Sequence, residues 1–448
     1  MTSQLNIQIE SFVDKMRKAQ ISELRIENFC RTLKALNAGE TGLIPESAIE
    51  AVQALPHYDE LSESDEHLSQ LAMVKLNGGL GTSMGLRKAK SLIPVKDDLS
   101  FLDITALQVA KFSEQIGRPF PLVLMNSYST SKDSLECLER QKLQQDLPFE
   151  FLQSKVPKID IATGKPAEYE PNEEMEWCPP GHGDIYLSLL ESGIVDQFRE
   201  RGIKYLFVSN IDNLGATVDT RLLEYFAKSG GSFLMEVTRR TEADKKGGHL
   251  ARSKDGQLLL REVAQCPDSD QSSFQNIEKH RFFNTNNLWL NLEKIADSLD
   301  SVELPIIVNR KTVDPSDPKS AAVIQVESAM GAAIAAFSNT LAVEVPRSRF
   351  VPVKKTSDLL LVRSELFGLN DQFELQAKKS PLPTVVLGEE FKFLEDFERR
   401  FPAQVGLERC RSLSVKGDYV FQEGVDFVGS VDLSNDTGEP ISLGGEVS

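Results

Sequence analysis

Residues 71–90, LAMVKLNGGLGTSMGLRKAK, contain the pattern that decides the fold. A short apolar run leads directly into a segment with four glycines. This order is typical of a buried strand that ends in a loop, where exposed backbone N–H groups point together and bind phosphate. Arg87, Lys88 and Lys90 add positive charge at the end of the segment. The sequence therefore predicts a phosphate-binding loop after a buried strand.

Three more short apolar runs follow along the chain, at residues 122–125, 205–208 and 233–237. Between the first strand and the run at 122–125, apolar residues at three-residue spacing from Ile104, closed by Gly117, predict a helix. Strands that alternate with helices favour crossover connections and a mostly parallel sheet. Ligands of such sheets bind at the carboxyl ends of the strands, which is where the polar residues stand in this sequence.

Composition excludes several classes of function. The chain has 448 residues and a net charge of −17, so a nucleic acid or an anionic membrane would meet a surface of its own sign. No apolar run is long enough for a membrane helix, and the amino terminus has no secretory signal pattern. The five cysteines form no CxxC pair, which argues against a zinc site or a disulfide framework. We expect a reduced, cytoplasmic enzyme of two to four domains.

The pattern changes twice along the chain and predicts three segments. Residues 1–65 are expected to be helical, because apolar residues from Ile26 to Leu33 recur at helical spacing. Residues 66–383 carry the alternating strands and helices. Residues 384–448 contain short β-prone pieces separated by glycine turns, which favours a small β-solenoid-like extension.

The glycine segment also invites other interpretations. A dinucleotide fingerprint fails at Met84, and a Walker loop fails at Leu86. Residues 81–85 match G-x-S-x-G, the nucleophile elbow of serine hydrolases, with Ser83 as the nucleophile. That elbow places its serine directly after the strand, whereas several residues intervene here. A glycine loop that merely turns is the plainest alternative, but the coincidence of glycines and lysines favours phosphate binding.

Segments in one order along the chain resemble the eukaryotic UTP–glucose-1-phosphate uridylyltransferase (UDP-glucose pyrophosphorylase) family. Residues 75–91 resemble its nucleotide-binding loop, with Lys88-Ala89 where the family usually has Gly-Pro. The further segments are 176–184 (EWCPPGHGD), 208–216 (VSNIDNLGA), 246–248 (KGG), 283–289 (FNTNNLW) and 346–354 (PRSRFVPVK). The resemblance covers roughly residues 70–430.

The resemblance implies a three-layer, Rossmann-like α/β nucleotide-diphospho-sugar transferase core with a C-terminal β-helix-like extension. The implied reaction joins UTP and glucose 1-phosphate into UDP-glucose and pyrophosphate, by Mg²⁺-assisted in-line attack on the α-phosphorus. Catalysis would rest on Lys90, Lys354 and Asp212, with Asp212 as the metal ligand. The residues implied to bind the nucleotide are Leu76, Asn77, Gly78, Gly79, Lys90, Gln153, Gly181, Asn210, Asp212 and Lys354.

The sugar phosphate is implied to bind elsewhere in the chain. The implied residues are His182, Gly248, Glu262, Asn284 and Asn286. Hydroxyl groups need paired donors and acceptors, which carboxylates, amides and close backbone provide. Each residue also has a plainer interpretation: a solvated lysine, an aspartate that forms a turn, or a polar turn at 284–287.

Three other functions stay open on the sequence. A related UDP-sugar or UDP-N-acetylglucosamine pyrophosphorylase would use another hexose phosphate. A serine hydrolase would depend on Ser83, and a non-catalytic nucleotide-binding scaffold would have lost turnover. In the family the C-terminal β-region can mediate assembly, so a homo-oligomer through this region is a further expectation.

Overall fold

The computed structural model describes residues 6–81, 84–86 and 88–448. The chain divides into two compact units. The first comprises Met1–Met73, Phe151–Val208 and Asp219–Val345, and the second comprises Val74–Glu150, Ser209–Val218 and Pro346–Ser448. The segment boundaries predicted at residues 65 and 383 stay a prediction.

The helices among the described residues are, in chain order, Ile9–Lys18 (α1), Glu23–Asn37 (α2), Phe101–Ile116 (α3), Ser131–Gln141 (α4), Ile185–Glu191 (α5), Ile194–Glu200 (α6), Thr220–Ser229 (α7), Gln271–Phe274 (α8), Leu292–Ile295 (α9), Thr356–Arg363 (α10) and Leu394–Arg400 (α11). None of the helices in this described part of the chain is long and apolar enough to cross a membrane.

The strands up to the end of the α/β region are Ile49–Ala51 (β1), Leu71–Asn77 (β2), Pro94–Lys96 (β3), Leu99–Ser100 (β4), Leu122–Asn126 (β5), Glu150–Leu152 (β6), Val156–Pro157 (β7), Ile159–Asp160 (β8), Trp177–Cys178 (β9), Tyr205–Asn210 (β10), Phe233–Arg239 (β11), His249–Ser253 (β12), Leu258–Arg261 (β13), Phe282–Asn291 (β14), Ile307–Thr312 (β15), Ala322–Glu327 (β16), Thr340–Glu344 (β17), Phe367–Leu369 (β18) and Leu375–Ala377 (β19). The later strands are Thr384–Leu387 (β20), Cys410–Lys416 (β21), Tyr419–Phe421 (β22), Asp426–Phe427 (β23), Gly429–Ser434 (β24), Ile441–Leu443 (β25) and Glu446–Val447 (β26).

Two helices show why the sequence predictions succeed locally. In α2 the predicted apolar face is buried, since Ile26, Phe29 and Leu33 are each at most 5 % exposed. In α3 the side chain of Ser100 caps the first turn by accepting from the backbone N–H of Asp103. The helix ends at Gly117, whose φ of 70° places it in the left-handed region that favours glycine.

The main sheet of the first unit is mixed. In the first unit its order is β1–β12–β14–β10, with β13 beside β12, and β11 between β14 and β17. Strand β14 is antiparallel to β10, β11 and β12, while β11 and β17 are parallel. The prediction of a mostly parallel sheet is therefore wrong in this region. Strands β12, β13 and β14 follow one another without a long crossover helix, and strands joined in this way run antiparallel.

In the second unit, the carboxyl-terminal half of β2 and the strand β5 are neighbours in a sheet. All seven residues of β2 are buried, which explains its nearly continuous apolar sequence.

The last six strands pair in parallel, each of the first three with one of the following three. Strand β21 lies beside β24, β22 beside β25, and β23 beside β26, while β20 covers the other edge of β21. Three consecutive strands are thus followed by three strands that pair with them in parallel and in the same order, which is the arrangement of a short β-helix. Glycines with positive φ, such as Gly417 and Gly424, supply the turns between them.

Candidate active site

The glycine loop of the second unit folds back on its own backbone. The N–H of Lys90 donates to the Gly79 carbonyl at 3.1 Å, and the N–H of Met84 donates to the Gly81 carbonyl at 2.8 Å. Gly81 has a φ of 63°, and a Cβ there would lie 2.7 Å from Leu86 Cδ1, so the turn requires glycine. A Cβ at Gly79 would meet none of the described residues within 4 Å. The backbone at Gly79 thus leaves room for a ligand.

Three residues of this loop lie outside the described residues: Thr82, Ser83 and Arg87. The hydrolase interpretation, which depends on Ser83, therefore stays a prediction.

The loop begins at a buried polar network around Asn77. This residue is 2 % exposed, and its Nδ2 donates to Asn126 Oδ1 and to Ser134 Oγ, both at 2.7 Å. Asn126 in turn donates to Glu150 Oε2 at 2.6 Å. The side chain of Asn77 is engaged inside the protein, so it is the main chain that remains for nucleotide contact.

Lys90 and Asp212 form an ion pair with a distance of 2.5 Å between Nζ and Oδ2. Their side chains are 16 % and 18 % exposed, so neither is buried away from a ligand. Asp212 belongs to the loop that follows β10, two residues after Asn210, the last residue of that strand. The N–H of Ile211 donates to the Leu76 carbonyl at 3.1 Å and fastens this loop to the end of β2.

The chain before Lys354 docks on the same loop. The N–H of Val353 donates to the Asp212 carbonyl at 3.1 Å, which places Lys354 one residue beyond a direct contact with the aspartate. Asn213 Oδ1 accepts from the N–H of Val351 at 2.8 Å, and its Nδ2 donates to the Arg349 carbonyl at 3.1 Å. The structure thus brings together Lys90, Asp212 and the backbone of Lys354.

Asn213 was not predicted as a site residue. It is 2 % exposed, and its side chain joins the loop after β10 to the segment 349–351 by hydrogen bonds. Its place directly after Asp212 in the sequence is the only signal that could have pointed to it.

In the first unit, Gly181 and Gly183 flank His182 and pack against Ser328. A Cβ at Gly181 would lie 2.4 Å from the Ser328 carbonyl oxygen, and one at Gly183 would lie 2.3 Å from Ser328 Oγ. The Nδ1 atom of His182 accepts from the N–H of Met330 at 2.9 Å. A ring nitrogen that accepts carries no proton, so the imidazole is neutral and presents N–H at Nε2.

Asp184, at the end of the same motif, is an internal anchor. Its carboxylate accepts from Arg25 at 2.5 Å, from the N–H of Ser154 at 2.7 Å and from Ser188 at 2.9 Å. Burial raises the pKa of Asp184, although Arg25 and these hydrogen bonds oppose the rise. Its contact with Ser154 joins the His182 motif to Gln153, which is 8 % exposed and follows β6.

The remaining predicted residues form one group in the first unit. A Cβ at Gly248 would lie 2.5 Å from Glu262 Oε2, so this backbone touches the carboxylate. The N–H of Asn284 donates to the Gly248 carbonyl at 3.1 Å. Asn284 Nδ2 donates to Asn286 Oδ1 at 2.8 Å, and the N–H of Asn286 donates to Asn284 Oδ1 at 2.9 Å. Close backbone, a carboxylate and two amides thus lie together.

The asparagines lie in a bulged strand. Residues 284–287 belong to β14, and the register between β11 and β14 shifts at Glu236 and Val237. Asn286 has a φ of 57° at this bulge, a left-handed conformation that asparagine tolerates. The interpretation of this segment as a polar turn is therefore wrong.

A short segment links this group to His182. Met330 donates its N–H to His182, and a Cβ at the next residue, Gly331, would lie 3.0 Å from Asn284 Nδ2. The role of this segment was not predicted, because residues 329–336 look like an ordinary run of small apolar residues.

Next to Glu262 in the sequence, the buried Arg261 belongs to a charge cluster that the sequence did not indicate. Arg261 is fully buried and donates to Glu46 at 2.7 Å. His280 and Lys279 donate to the other oxygen of Glu46, at 2.9 and 2.5 Å. Burial alone would raise the pKa of Glu46, but these hydrogen bonds outweigh it and lower the pKa to about 2.

The stacked ring of His249 completes the cluster. It lies 4.0 Å from the ring of His280, and burial lowers the pKa of both imidazoles. His249 directly follows Gly248, so the cluster supports the backbone of the group that Gly248 forms with Glu262, Asn284 and Asn286.

The sequence profile of the UTP–glucose-1-phosphate uridylyltransferase family matches residues 26–427. The UTP–glucose-1-phosphate uridylyltransferases of Musa acuminata and Solanum tuberosum are both 38 % identical to this chain; each alignment covers 95 % of it, and 93 % and 91 % of those relatives.

Two solved structures are also similar. The UDP-glucose phosphorylase of Trypanosoma brucei has a TM-score of 0.91 and 41 % identity, covering 98 % of this chain and 99 % of its own. A point mutant of the UDP-glucose pyrophosphorylase of Leishmania major, solved in complex with UDP-glucose, has a TM-score of 0.90 and 43 % identity, covering 98 % and 97 %. The mixed α/β fold and these matches along nearly the whole length place the chain in the UTP–glucose-1-phosphate uridylyltransferase family.

Proposed function

We propose that this protein transfers the uridylyl group of UTP to glucose 1-phosphate and releases pyrophosphate. The observation that carries the proposal is the similarity to a relative solved with UDP-glucose, which extends over 98 % of the chain. A phosphate oxygen of glucose 1-phosphate attacks the α-phosphorus of UTP, and the bond from that phosphorus to the pyrophosphate oxygen breaks. UDP-glucose and pyrophosphate are the products.

The reaction brings two anions together, so it requires neutralised charge and alignment rather than a protein nucleophile. Lys90 and Lys354 are the proposed sources of positive charge along the phosphates. Support comes from the Lys90–Asp212 ion pair and from the hydrogen bond of Val353 to Asp212, which keep both lysines at one loop.

A divalent cation fits the chemistry of Asp212, and we propose Mg²⁺. This ion prefers one or two carboxylates together with phosphate oxygens and water, and Asp212 offers a partly exposed carboxylate. When bound, the ion would neutralise phosphate charge and polarise the α-phosphoryl group. Lys90 pairs with the same carboxylate.

The nucleotide is proposed to contact the main chain at the end of β2 and polar side chains elsewhere. These residues are Leu76, Asn77, Gly78, Gly79, Gln153, Gly181 and Asn210. The amide of Gln153 suits the uracil edge, since an amide both donates and accepts.

The hexose phosphate is proposed to contact His182, Gly248, Glu262, Asn284 and Asn286. The neutral imidazole of His182 offers N–H to a phosphate oxygen, because Met330 occupies Nδ1. The carboxylate of Glu262 and the half-buried amide of Asn286 supply acceptors and donors for sugar hydroxyls.

A cytoplasmic location belongs to the same proposal. All five cysteines are free, and four of them are buried, as suits a protein that folds in a reducing compartment.

Pyrophosphate release from UTP tests the function, with glucose, galactose and N-acetylglucosamine 1-phosphates compared in the presence of Mg²⁺. We expect the highest kcat/KM with glucose 1-phosphate. A preference for N-acetylglucosamine 1-phosphate would establish the related pyrophosphorylase instead, and no release with any of them would refute the proposal.

A further inference from the structure

The side chain of Lys75 is buried in the middle of β2. It is 2 % exposed and ranks among the largest fully buried side chains of the described residues. An ammonium group taken out of water is costly unless hydrogen bonds replace its hydration. The position of Lys75 therefore depends on what its Nζ atom meets inside the protein.

Two oxygens at opposite ends of one loop accept from Lys75 Nζ. Ser209 Oγ and the carbonyl oxygen of Ala216 both lie 2.8 Å away. Ser209 is itself fully buried near the end of β10. Between these two contacts runs the segment 210–215, which contains Asp212. One charged group thus fastens both ends of the loop that carries the proposed metal ligand.

Apart from the Lys90–Asp212 ion pair, the contacts described above for this loop are of a different kind. Backbone N–H groups of Ile211 and Val353 take part in neutral hydrogen bonds, and Asn213 contributes a neutral amide. Hydrogen bonds from an ionised donor are roughly twice as strong as neutral ones. Lys75 therefore contributes stronger hydrogen bonds than these neutral contacts do.

We propose that Lys75 is a positioning residue for the reaction. It holds the loop at residues 209–216 so that the Asp212 carboxylate meets Lys90 and the divalent cation. This inference rests on the role proposed above for Asp212. It assigns Lys75 no contact with substrate, because its Nζ atom is directed into the protein.

The test is calorimetric titration with UTP, in MgCl₂ and in EDTA, of Lys75→Met. We expect the Mg²⁺-dependent gain in UTP affinity to fall by about tenfold, since a loop without its charged anchor no longer fixes the carboxylate. In kinetics, kcat is expected to fall with the Mg²⁺ dependence, while the KM for glucose 1-phosphate stays within about twofold of the wild type.

Lys96→Met is the matched control. Lys96 is another buried lysine of the second unit, 9 % exposed, and its Nζ donates to the Ser364 carbonyl at 2.7 Å. It serves a different part of the unit, so its loss reports the general cost of removing a buried lysine. A Lys75→Met protein whose Mg²⁺ dependence equals that of Lys96→Met or the wild type would overturn the inference.

Ser209→Ala covers the case in which Lys75→Met does not fold, because it removes only one acceptor. We expect a smaller loss, of about threefold, in the same Mg²⁺-dependent gain, and an unchanged gain would count against Lys75.

Asp212→Asn, measured in parallel, distinguishes a failure of the role proposed for Asp212 from a failure of the role proposed for Lys75. Wild-type behaviour of Asp212→Asn would refute the role proposed for Asp212. If Asp212→Asn fails while Lys75→Met and Ser209→Ala match the control, only the Lys75 inference is refuted.

Discussion

Replacing Gly248 by alanine is expected to impair the use of glucose 1-phosphate while leaving the fold intact. The new Cβ would lie 2.5 Å from Glu262 Oε2 and 2.6 Å from its Cδ, whereas ordinary contacts begin at 3.4 Å. The carboxylate must therefore retreat by about 1 Å. Because it ends a flexible side chain, the retreat costs little stability.

The size of the effect follows from what the carboxylate is proposed to do. A hydrogen bond to a charged group contributes about 1.5–3 kcal/mol. Its loss lowers kcat/KM for glucose 1-phosphate by about tenfold to hundredfold. The KM for UTP is expected to change little, since Gly248 is assigned to the sugar.

Steady-state pyrophosphate release, with one substrate varied at saturation of the other, measures this difference. A double-mutant cycle with Glu262→Gln then identifies the route of the effect. If alanine acts by displacing Glu262, adding it to the Glu262→Gln protein costs little more. Fully additive losses, or an unchanged kcat/KM in Gly248→Ala alone, would refute the reasoning.

Three further predictions concern charge and packing. Lys354→Ala is expected to lower kcat by about a hundredfold or more with an unchanged thermal midpoint, because a phosphate charge loses its partner; near-normal pyrophosphate release would contradict this. Since the pKa of Glu46 is lowered to about 2, its ion pairs stabilise the fold above about pH 4.5, by less than about 3 kcal/mol because solvent screens the exposed Lys279, and this contribution disappears as the pH falls towards 2. Urea unfolding of wild type and Glu46→Gln should differ at pH 7 and converge near pH 2; a constant difference would contradict the assignment. Gly247→Ala, whose Cβ would lie 2.0 Å from the Phe283 ring, is expected to destabilise the fold in thermal unfolding by about 1–3 kcal/mol, unlike Gly248→Ala.

The buried strands and the polar loops that follow them could be predicted from the sequence. A buried strand followed by glycines and a polar loop after β10 are local patterns, and local patterns survive folding. Chain order alone, however, did not show that Lys90 and Asp212 form an ion pair 122 positions apart.

The sequence did not show which charged side chains are buried. Lys75 stands within the most informative motif, but a lysine among apolar residues gives no sign of whether its amine reaches solvent. Arg261 and Glu46 are likewise ordinary charged residues in the sequence, and only folding brings them together. A polar turn was the plainer alternative for residues 284–287, because a β-bulge accommodates residues that strands usually avoid.

The central proposal is that this acidic chain binds a nucleoside triphosphate at a small cationic site, where Lys90 and Lys354 supply the positive charge beside Asp212. Titration of the full chain with UTP in MgCl₂, followed by calorimetry and repeated with Lys90→Gln, tests it most directly. We expect saturable binding at one site per chain and an affinity about tenfold weaker in the variant. Absence of UTP binding with and without Mg²⁺, or equal affinity in both proteins, would contradict the claim.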